Sequence, residues 1–312
     1  MKICLLLSLL SSSACAFSPL AVKSTGPSSA LFAEIDRRSL LGSAAAAALA
    51  FSVQQPAFAA GITKVVVAGA TGQTGRRVLE RLAGTAGLSV IGGVRNVDRA
   101  AVSLAEKSTV IRGAMVQQVA SVDTSAVEIK HIDVVKDSVD ELTSTLQGAD
   151  AMVIAVGFVP ANIMKMNKEA HEVDNLGTIK LVDAAKAAGI KKIVLVSSIL
   201  TNGRAWGQEK SPGFTLTNAF GQVLDEKITA ENYLRASGID YTIVRPGGLK
   251  AKPPTGALKI YGEDTLNSGE ISRDLVADVC VASLTDPKAK NKVLEIIEDD
   301  GTEPKVFNGL NM

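Results

Sequence analysis

The chain has 312 residues, a formal charge of +1, and 46% apolar and 21% charged side chains, the balance of a protein that buries a real core. So small a net charge gives no electrostatic ground for nucleic acid or an acidic membrane surface as partner. Eight Phe, three Tyr and one Trp give no ground for a base-stacking platform either.

The first 59 residues read as an address. Lys2, the Leu-rich run Ile3–Leu10 and the small residues Ala14-Cys15-Ala16 have the charged, apolar and cleavage regions of a secretory signal. The apolar run is far short of the roughly 20 residues a spanning helix needs. Phe17-Ser18-Pro19 and a Ser-rich stretch to Ala33 follow, with one Lys and no acid. This resembles the bipartite plastid pre-sequence of algae with complex plastids. Then Arg37-Arg38-Ser39-Leu40-Leu41, the Ala-rich run Ala44–Phe51 and Ala57-Phe58-Ala59 resemble a twin-arginine thylakoid-transfer signal. Two destinations stay open: delivery to the thylakoid lumen, or a stromal or tethered product of a transit peptide. Cutting after Ala59 removes four basic and two acidic residues, so the charge moves from +1 to −1. It also removes Cys4 and Cys15 and leaves Cys280 alone of the three cysteines. A lone Cys in an apolar helical stretch is assigned to the core.

From residue 60 onward one domain is expected, in which short apolar runs alternate with helical periods. That pattern predicts βαβ units, an α/β doubly wound Rossmann fold with a parallel sheet, and small α/β elements at the C-terminal end. Predicted strands are Lys64–Ala70, Leu88–Val94, Glu128–Asp133, Ala151–Val156, Lys192–Ser197 and Tyr241–Arg245. Two more lie near Leu258–Tyr261 and Lys292–Ile296. Predicted helices are Gly75–Ala83, Val139–Leu146, His171–Ala188, Ala219–Ser237 and Arg273–Leu284. Arg99–Ser125 is expected to be helix plus loop. Ser198–Asn218 is polar and aperiodic, and a loop of that length is uncommon unless functional or disordered. Around Trp206 it is read either as a substrate lid or as a loose surface loop.

Gly69-Ala70-Thr71-Gly72-Gln73-Thr74-Gly75 follows a predicted strand and opens a helix. In that context the first glycine permits the tight turn, the second lets backbone amides approach a pyrophosphate, and the third lets helix and strand pack closely. The helix start, with its exposed amides and dipole, attracts phosphate. At the end of the second strand stands Val94-Arg95-Asn96, not the acid that bonds a ribose 2′-hydroxyl. An Arg suits a 2′-phosphate, which its planar fork pairs in two places. The expected cofactor is therefore NADP(H); NAD, with Arg95 an ordinary surface residue, is the alternative.

These motifs, with Val173-Asp-Asn-Leu-Gly177, Ile193-Val-Leu-Val-Ser-Ser198, Ala230-Glu-Asn-Tyr-Leu234 and Tyr241-Thr-Ile-Val-Arg-Pro-Gly-Gly-Leu249, resemble the atypical short-chain dehydrogenase/reductases. Within that superfamily they are similar to the NAD(P)-binding, NmrA-like plastid group, over roughly Lys64–Ile297. The resemblance implies that Asp133 and Val134 lie beside the adenine and that Ala155, Val156 and Gly157 line the adenosine ribose. It also implies that Ser197, Pro246 and Gly247 flank the nicotinamide. For Asp133 a solvated turn acid is the equal alternative.

The chain departs from the superfamily at its proton donor. Enzymes of this kind carry Tyr-x-x-x-Lys on the helix after the fifth strand, the Lys bonding the ribose and lowering the Tyr pKa. Here that pair is Val223 and Lys227, and valine transfers no proton. Lys227 either contacts the ribose or forms an i, i+4 pair with Glu231 on a solvated face. The candidate catalytic residues are then Ser197 and Lys227. His131 and His171 have no metal-ligand cluster around them; His131 is read as structural and His171 as flanking a substrate at most. Tyr233 and Tyr241 are assigned to packing. Two functions follow: an NADPH-dependent reductase of a small plastid metabolite, quinone or flavin, or a non-catalytic dinucleotide-binding redox sensor or photosynthetic-complex assembly factor with a thylakoid protein partner. No transmembrane span is expected after residue 60.

Overall fold

A run such as Val65-Val66-Val67 is apolar at every position because alternate side chains enter two different cores. Val65 and Val67 pack with Val78, Leu79 and Leu82 on one face of the sheet. Val66 and Ala68 pack with Leu142, Leu146 and Leu181 on the other. A strand covered on both faces has no polar side. The computed structural model describes residues 61–105, 108–112, 115–119, 121–159, 162–299, 301–303 and 305–310, with only the backbone of 108–112 and 115–119. The address region, and with it the expected targeting signals, lies outside the described residues.

The order is β1 (Lys64–Ala68), α1 (Gln73–Ala83), β2 (Ser89–Val94), α2 (Val97–Ala105), β3 (Ser108–Arg112), β4 (Met115–Val119), β5 (Val127–His131), α3 (Val139–Leu146) and β6 (Ala151–Ile154). Next come α4 (Met166–Ala170), a π-helical stretch (His171–Gly177), α5 (Thr178–Ala187), β7 (Lys192–Val196), α6 (Pro212–Asn218), α7 (Val223–Ala236) and β8 (Asp240–Pro246). The chain closes with β9 (Gly248–Lys250), β10 (Ala257–Tyr261), β11 (Glu270–Ser272), α8 (Arg273–Ser283) and β12 (Lys292–Asp299).

Eight strands form one sheet in the order β10-β12-β8-β7-β6-β1-β2-β5. All neighbours in it are parallel except β10 with β12. The chain builds outward from β1 through β2 to β5, then returns to β6 on the other side of β1 and continues to β7 and β8. The order therefore reverses between β1 and β6, and in open α/β sheets ligands bind at the carboxyl ends of the strands flanking that reversal. In register, Ala68 at the end of β1 faces Gly93 of β2 and Ile154 of β6.

The helices cover both faces. Leu79 and Leu82 of α1 and Leu275, Val276 and Val279 of α8 belong to one core; Leu142, Leu146, Leu181 and Leu234 of α3, α5 and α7 belong to the other. Each such fully buried Leu contributes about 1.5–3 kcal/mol. The outer faces of α1 and α8 are joined by charge, with Arg77 at 3.2 Å from Asp274 and Arg81 at 2.5 Å from Asp278. Helix α3 starts where its sequence says it should: Ser138 and Glu141 form a reciprocal capping box, which satisfies two otherwise orphaned amides.

Three features depart from the expected elements. The stretch between α2 and β5, expected as helix plus loop, holds the antiparallel hairpin β3–β4. The expected single helix His171–Ala188 is divided: it begins earlier, at Met166, and passes through a π-helical stretch before α5. The supposed loop Ser198–Asn218 ends in α6, whose start is marked by Ser211 at the N-cap and Pro212 in the first turn, both strong initiation signals.

Candidate dinucleotide site

The glycine loop turns at the carboxyl end of β1 and is held there by backbone bonds. The amides of Gly69 and Ala70 donate to the Gly93 carbonyl at 3.2 and 3.1 Å, and the Gly72 amide donates to the Gly69 carbonyl at 2.9 Å. Gly69 has φ +83°, the left-handed region in which a side chain is strained. A Cβ there would stand 2.7 Å from the Ala155 carbonyl oxygen, and one on Gly75 would stand 2.2 Å from the Gly69 carbonyl oxygen. The loop thus closes directly on the end of β6, at the reversal of strand order. Gly72 is the N-cap of α1 and brings no side chain to cap its first amides; no acid occupies the first turn. Thr71 and Gly72 are exposed, Gln73 is half-buried and Thr74 buried. A bare, positively polarised helix start beside a loop that a Cβ would fill fits a pyrophosphate.

Arg95 follows β2 and is exposed. Asn96 accepts the Arg99 amide at 2.8 Å and so opens α2 immediately beyond Arg95. Asp133 is buried, not solvated, and turns its carboxylate inward to the amides of Val135 and Lys136 at 3.1 and 3.2 Å. Val134 beside it is buried; a Cβ on Gly177 would meet its side chain at 2.7 Å. The carboxyl end of β5 is thereby fixed against the π-helical stretch.

The end of β6 meets the same stretch. Ala155 donates its amide to the Ala68 carbonyl at 3.0 Å. Asp174, 2% exposed, accepts the Phe158 amide at 3.0 Å, and its other oxygen lies 2.7 Å from Lys227 Nζ. Val156 is half-buried and Gly157 exposed; a Cβ on Gly157 would be 3.6 Å from Asp174. The wider i→i+5 turn of a π-helix is rare and re-aims the side chains it carries. Lys227 therefore pairs with Asp174, and the alternative i, i+4 pair with Glu231 does not form. A small, partly open cleft is lined by Val156, Asp174, Thr178, Leu195, Ser197 and Lys227, among others. It brings together two residues assigned to catalysis, Ser197 and Lys227, and one assigned to the ribose.

Glu231 is instead drawn into the protein. It is fully buried and accepts hydrogen bonds from Ser197 Oγ at 2.5 Å, Thr201 Oγ1 at 3.0 Å and Arg245 Nη2 at 2.7 Å. Arg245, itself fully buried in β8, also binds Asp264 at 2.9 Å, Glu263 at 3.1 Å and Glu295 at 3.3 Å. Burial works against the Arg245 charge, yet Glu231, Glu263 and Asp264 outweigh it and hold its pKa above the ordinary Arg value. The clue was an Arg inside the apolar strand Tyr241–Arg245: a charge there is buried, and a buried charge has partners. Pro246 and Gly247 are buried and tied into the sheet, the Pro246 carbonyl accepting the Ile199 amide and the Gly247 amide reaching the Ile296 carbonyl, each at 3.0 Å.

The segment around Trp206 is not loose. Ile199, Leu200, Phe214, Val223 and Leu224 form a third core, against which Trp206, Phe158 and Leu266 pack. Arg204 lies 5.3 Å over the Phe214 ring and pairs Asp225 through two bonds of 2.7 and 2.8 Å. His131 is half exposed and bonds Asp137 at 3.0 Å. His171 Nδ1 lies 2.9 Å from Glu226. Tyr233, expected to pack, is 40% exposed and donates to Asp183 at 2.5 Å; Tyr241 packs against the second core. Cys280 is wholly buried and its thiol is pushed up to about 12 by that burial, as a core residue requires. Among the described residues no group of His, Cys, Asp and Glu is arranged for a metal, and no helix is long and apolar enough to cross a membrane.

A family model described as NAD(P)H-binding matches residues 114–287, more than half of the chain. A chloroplastic protein of Arabidopsis thaliana is 43% identical over 235 residues, covering 75% of this chain and 76% of that one. The chloroplastic protein TIC 62 of Pisum sativum is 34% identical over 250 residues, 75% of this chain but 43% of the longer relative. Among solved structures, the oxidoreductase ylbE from Lactococcus lactis superposes with a TM-score of 0.60 at 24% identity, over 77% of this chain and 93% of that one. That last likeness is one of fold, and it agrees with the parallel sheet and flanking helices described above. The chain belongs to the NAD(P)H-binding family of reductase-like proteins and, within it, to the atypical short-chain dehydrogenase/reductases of the NmrA-like group.

Proposed function

We propose that the protein is an NADPH-dependent reductase of a small plastid metabolite, quinone or flavin. The observation that carries the reading is the closure of the glycine loop on Ala155 at the reversal of strand order, with the cleft holding Lys227 and Ser197 one strand further along. In this reading the amides of Thr71–Gly75 hold the pyrophosphate, Arg95 the 2′-phosphate, and Asp133 and Val134 border the adenine. Ala155, Val156 and Gly157 border its ribose, Lys227 binds the second ribose, and Ser197, Pro246 and Gly247 flank the nicotinamide. The chemistry the dinucleotide supplies when bound is hydride donation. With its proton committed to Glu231, Ser197 presents oxygen lone pairs and so positions a donor group of cofactor or substrate. Asp174 holds the Lys227 ammonium in the wall of the cleft.

The chloroplastic relatives agree with a plastid address, and delivery to the thylakoid lumen is the destination we assign to the paired signals. The second reading, a redox sensor or assembly factor with a thylakoid partner, is favoured by Val223 at the position of the usual Tyr. Calorimetric titration with NADPH and NADH, followed by turnover with menadione and riboflavin, separates the two. Tight NADPH binding with acceptor reduction is expected. Tight binding without turnover of either acceptor would transfer the assignment to the sensor, and absence of binding would remove both.

A further inference from the structure

We propose that His171, oriented by Glu226 and Asn175, is the catalytic acid of this site and delivers from Nε2 the proton that Val223 cannot. The inference rests on the reductase reading above. His171 Nδ1 lies 2.9 Å from Glu226 Oε2, and the same oxygen accepts Asn175 Nδ2 at 2.6 Å. A carboxylate only accepts, so Nδ1 carries its proton toward Glu226 and Nε2 is the nitrogen left for a ligand. Asn175 is 6% exposed and has a second polar atom, Oδ1, buried without a partner; the amide is held in place for Glu226, not spent elsewhere. His171 itself is half exposed, as a group that meets a substrate and is then reprotonated from water has to be.

Position supports the same role. The π-helical stretch descends from the carboxyl end of β6 toward the start of β7, and α7 descends from the end of β7 toward the start of β8. The earlier residues on each are therefore the ones nearer the open rim. Asp174 and Lys227 pair inside the cleft; His171 and Glu226, three residues and one residue earlier on the same two segments, pair outside that lining, on the side toward the rim. Glu226 is also three residues from Val223, on the same face of α7, so the imidazole is tied to the helix face where the superfamily's proton donor is expected. The charged groups around it are Glu226, the Lys227–Asp174 pair and the exposed Lys168–Glu172 pair at 3.5 Å.

The acceptor class is a carbonyl or quinone, whose reduced oxygen needs one proton. Reduction by hydride brings two electrons and one hydrogen to the acceptor. The acceptor oxygen then takes the second hydrogen from doubly protonated His171: the Nε2–H bond breaks, an O–H bond forms, and the imidazolium becomes a neutral ring that keeps its Nδ1 proton on Glu226. Water restores Nε2–H from the exposed side. Such general acid catalysis contributes typically about 10²–10⁴-fold.

The test uses the full chain, whose two histidines make ring-nitrogen NMR simple to read. With the protein saturated by NADP⁺, added menadione should move the His171 Nε2 resonance and leave that of His131 in place. In NADPH oxidation by menadione, His171→Gln should lower kcat by about 10²-fold or more while NADPH affinity changes less than about twofold. Glu226→Gln should lower kcat with KM little changed, and imidazole in the buffer should restore part of the rate of His171→Ala. Variants that turn over as wild type, with an unmoved His171 resonance, would overturn this inference and leave the reductase reading standing. A wild type that binds NADPH and reduces neither menadione nor riboflavin would overturn both.

Discussion

The Ser197 hydroxyl donates to the Glu231 carboxylate at 2.5 Å; Glu231 is fully buried, and Ser197 keeps only its edge on the cleft. A serine that reads as catalytic in the sequence is thus the outermost member of a buried chain running through Glu231 to Arg245. Removing one partner of such a group leaves a desolvated charge, which costs about 3–5 kcal/mol. Arg245→Met strands Glu231 and Glu295 together, so urea unfolding should show a loss at the top of that range. Ser197→Ala removes one neutral donor and should cost only about 1–2 kcal/mol. Equal losses for the two variants would mean that Arg245 is not the hub of the network.

Gly75 is the tightest position of the loop, since a Cβ would stand 2.2 Å from the Gly69 carbonyl oxygen. The atom in the way is backbone and cannot swing aside. Gly75→Ala should therefore displace the loop from the end of β6 and weaken NADPH binding by about 100-fold or more, equivalent to about 2.7 kcal/mol. Calorimetric titration beside a thermal melt checks this; unchanged affinity would show that the loop does not cradle the dinucleotide.

Arg95 is exposed and has no hydrogen bond or ion pair among the described residues. Truncating it should leave the melting temperature within a degree or two, as surface changes do. Arg95→Ala should weaken NADPH binding by about tenfold or more, the scale of one lost charge-assisted contact, and leave NADH binding almost unchanged. Equal losses for both nucleotides would place Arg95 away from the 2′-phosphate.

Glu298 gives a pH signature. Burial acts to raise its carboxyl, but Lys250 at 2.8 Å, the amides of Thr255 and Ser272, and the Thr255 hydroxyl outweigh it and hold it below the ordinary Glu value of 4.5. A depressed folded-state pKa stabilises above the unfolded value, and the gain is lost as pH falls through the folded one. The stability difference between wild type and Glu298→Gln should accordingly be constant at neutral pH and shrink as pH is lowered below about 4.5. A difference that grows on acidification would reverse the assignment.

The sequence alone determined whatever depends on neighbours along the chain. Apolar runs such as Lys64–Ala70 declared strands buried on both faces; Gly69, Gly72 and Gly75 declared a turn before a helix. The π-helical register at His171–Gly177 was hidden, because one inserted residue does not disturb an apolar period enough to show. The hairpin β3–β4 was hidden as well, in a stretch with no clean alternation. Only the tertiary structure decided which charges meet. Lys227 had an acid four residues away on its own helix, yet it pairs with Asp174 from a different one, while Glu231 turns inward to Arg245 and Ser197. Ion pairs are chosen by burial and distance after the sheet has assembled, and residues 53 and 14 positions apart in the chain have no local pattern to announce them.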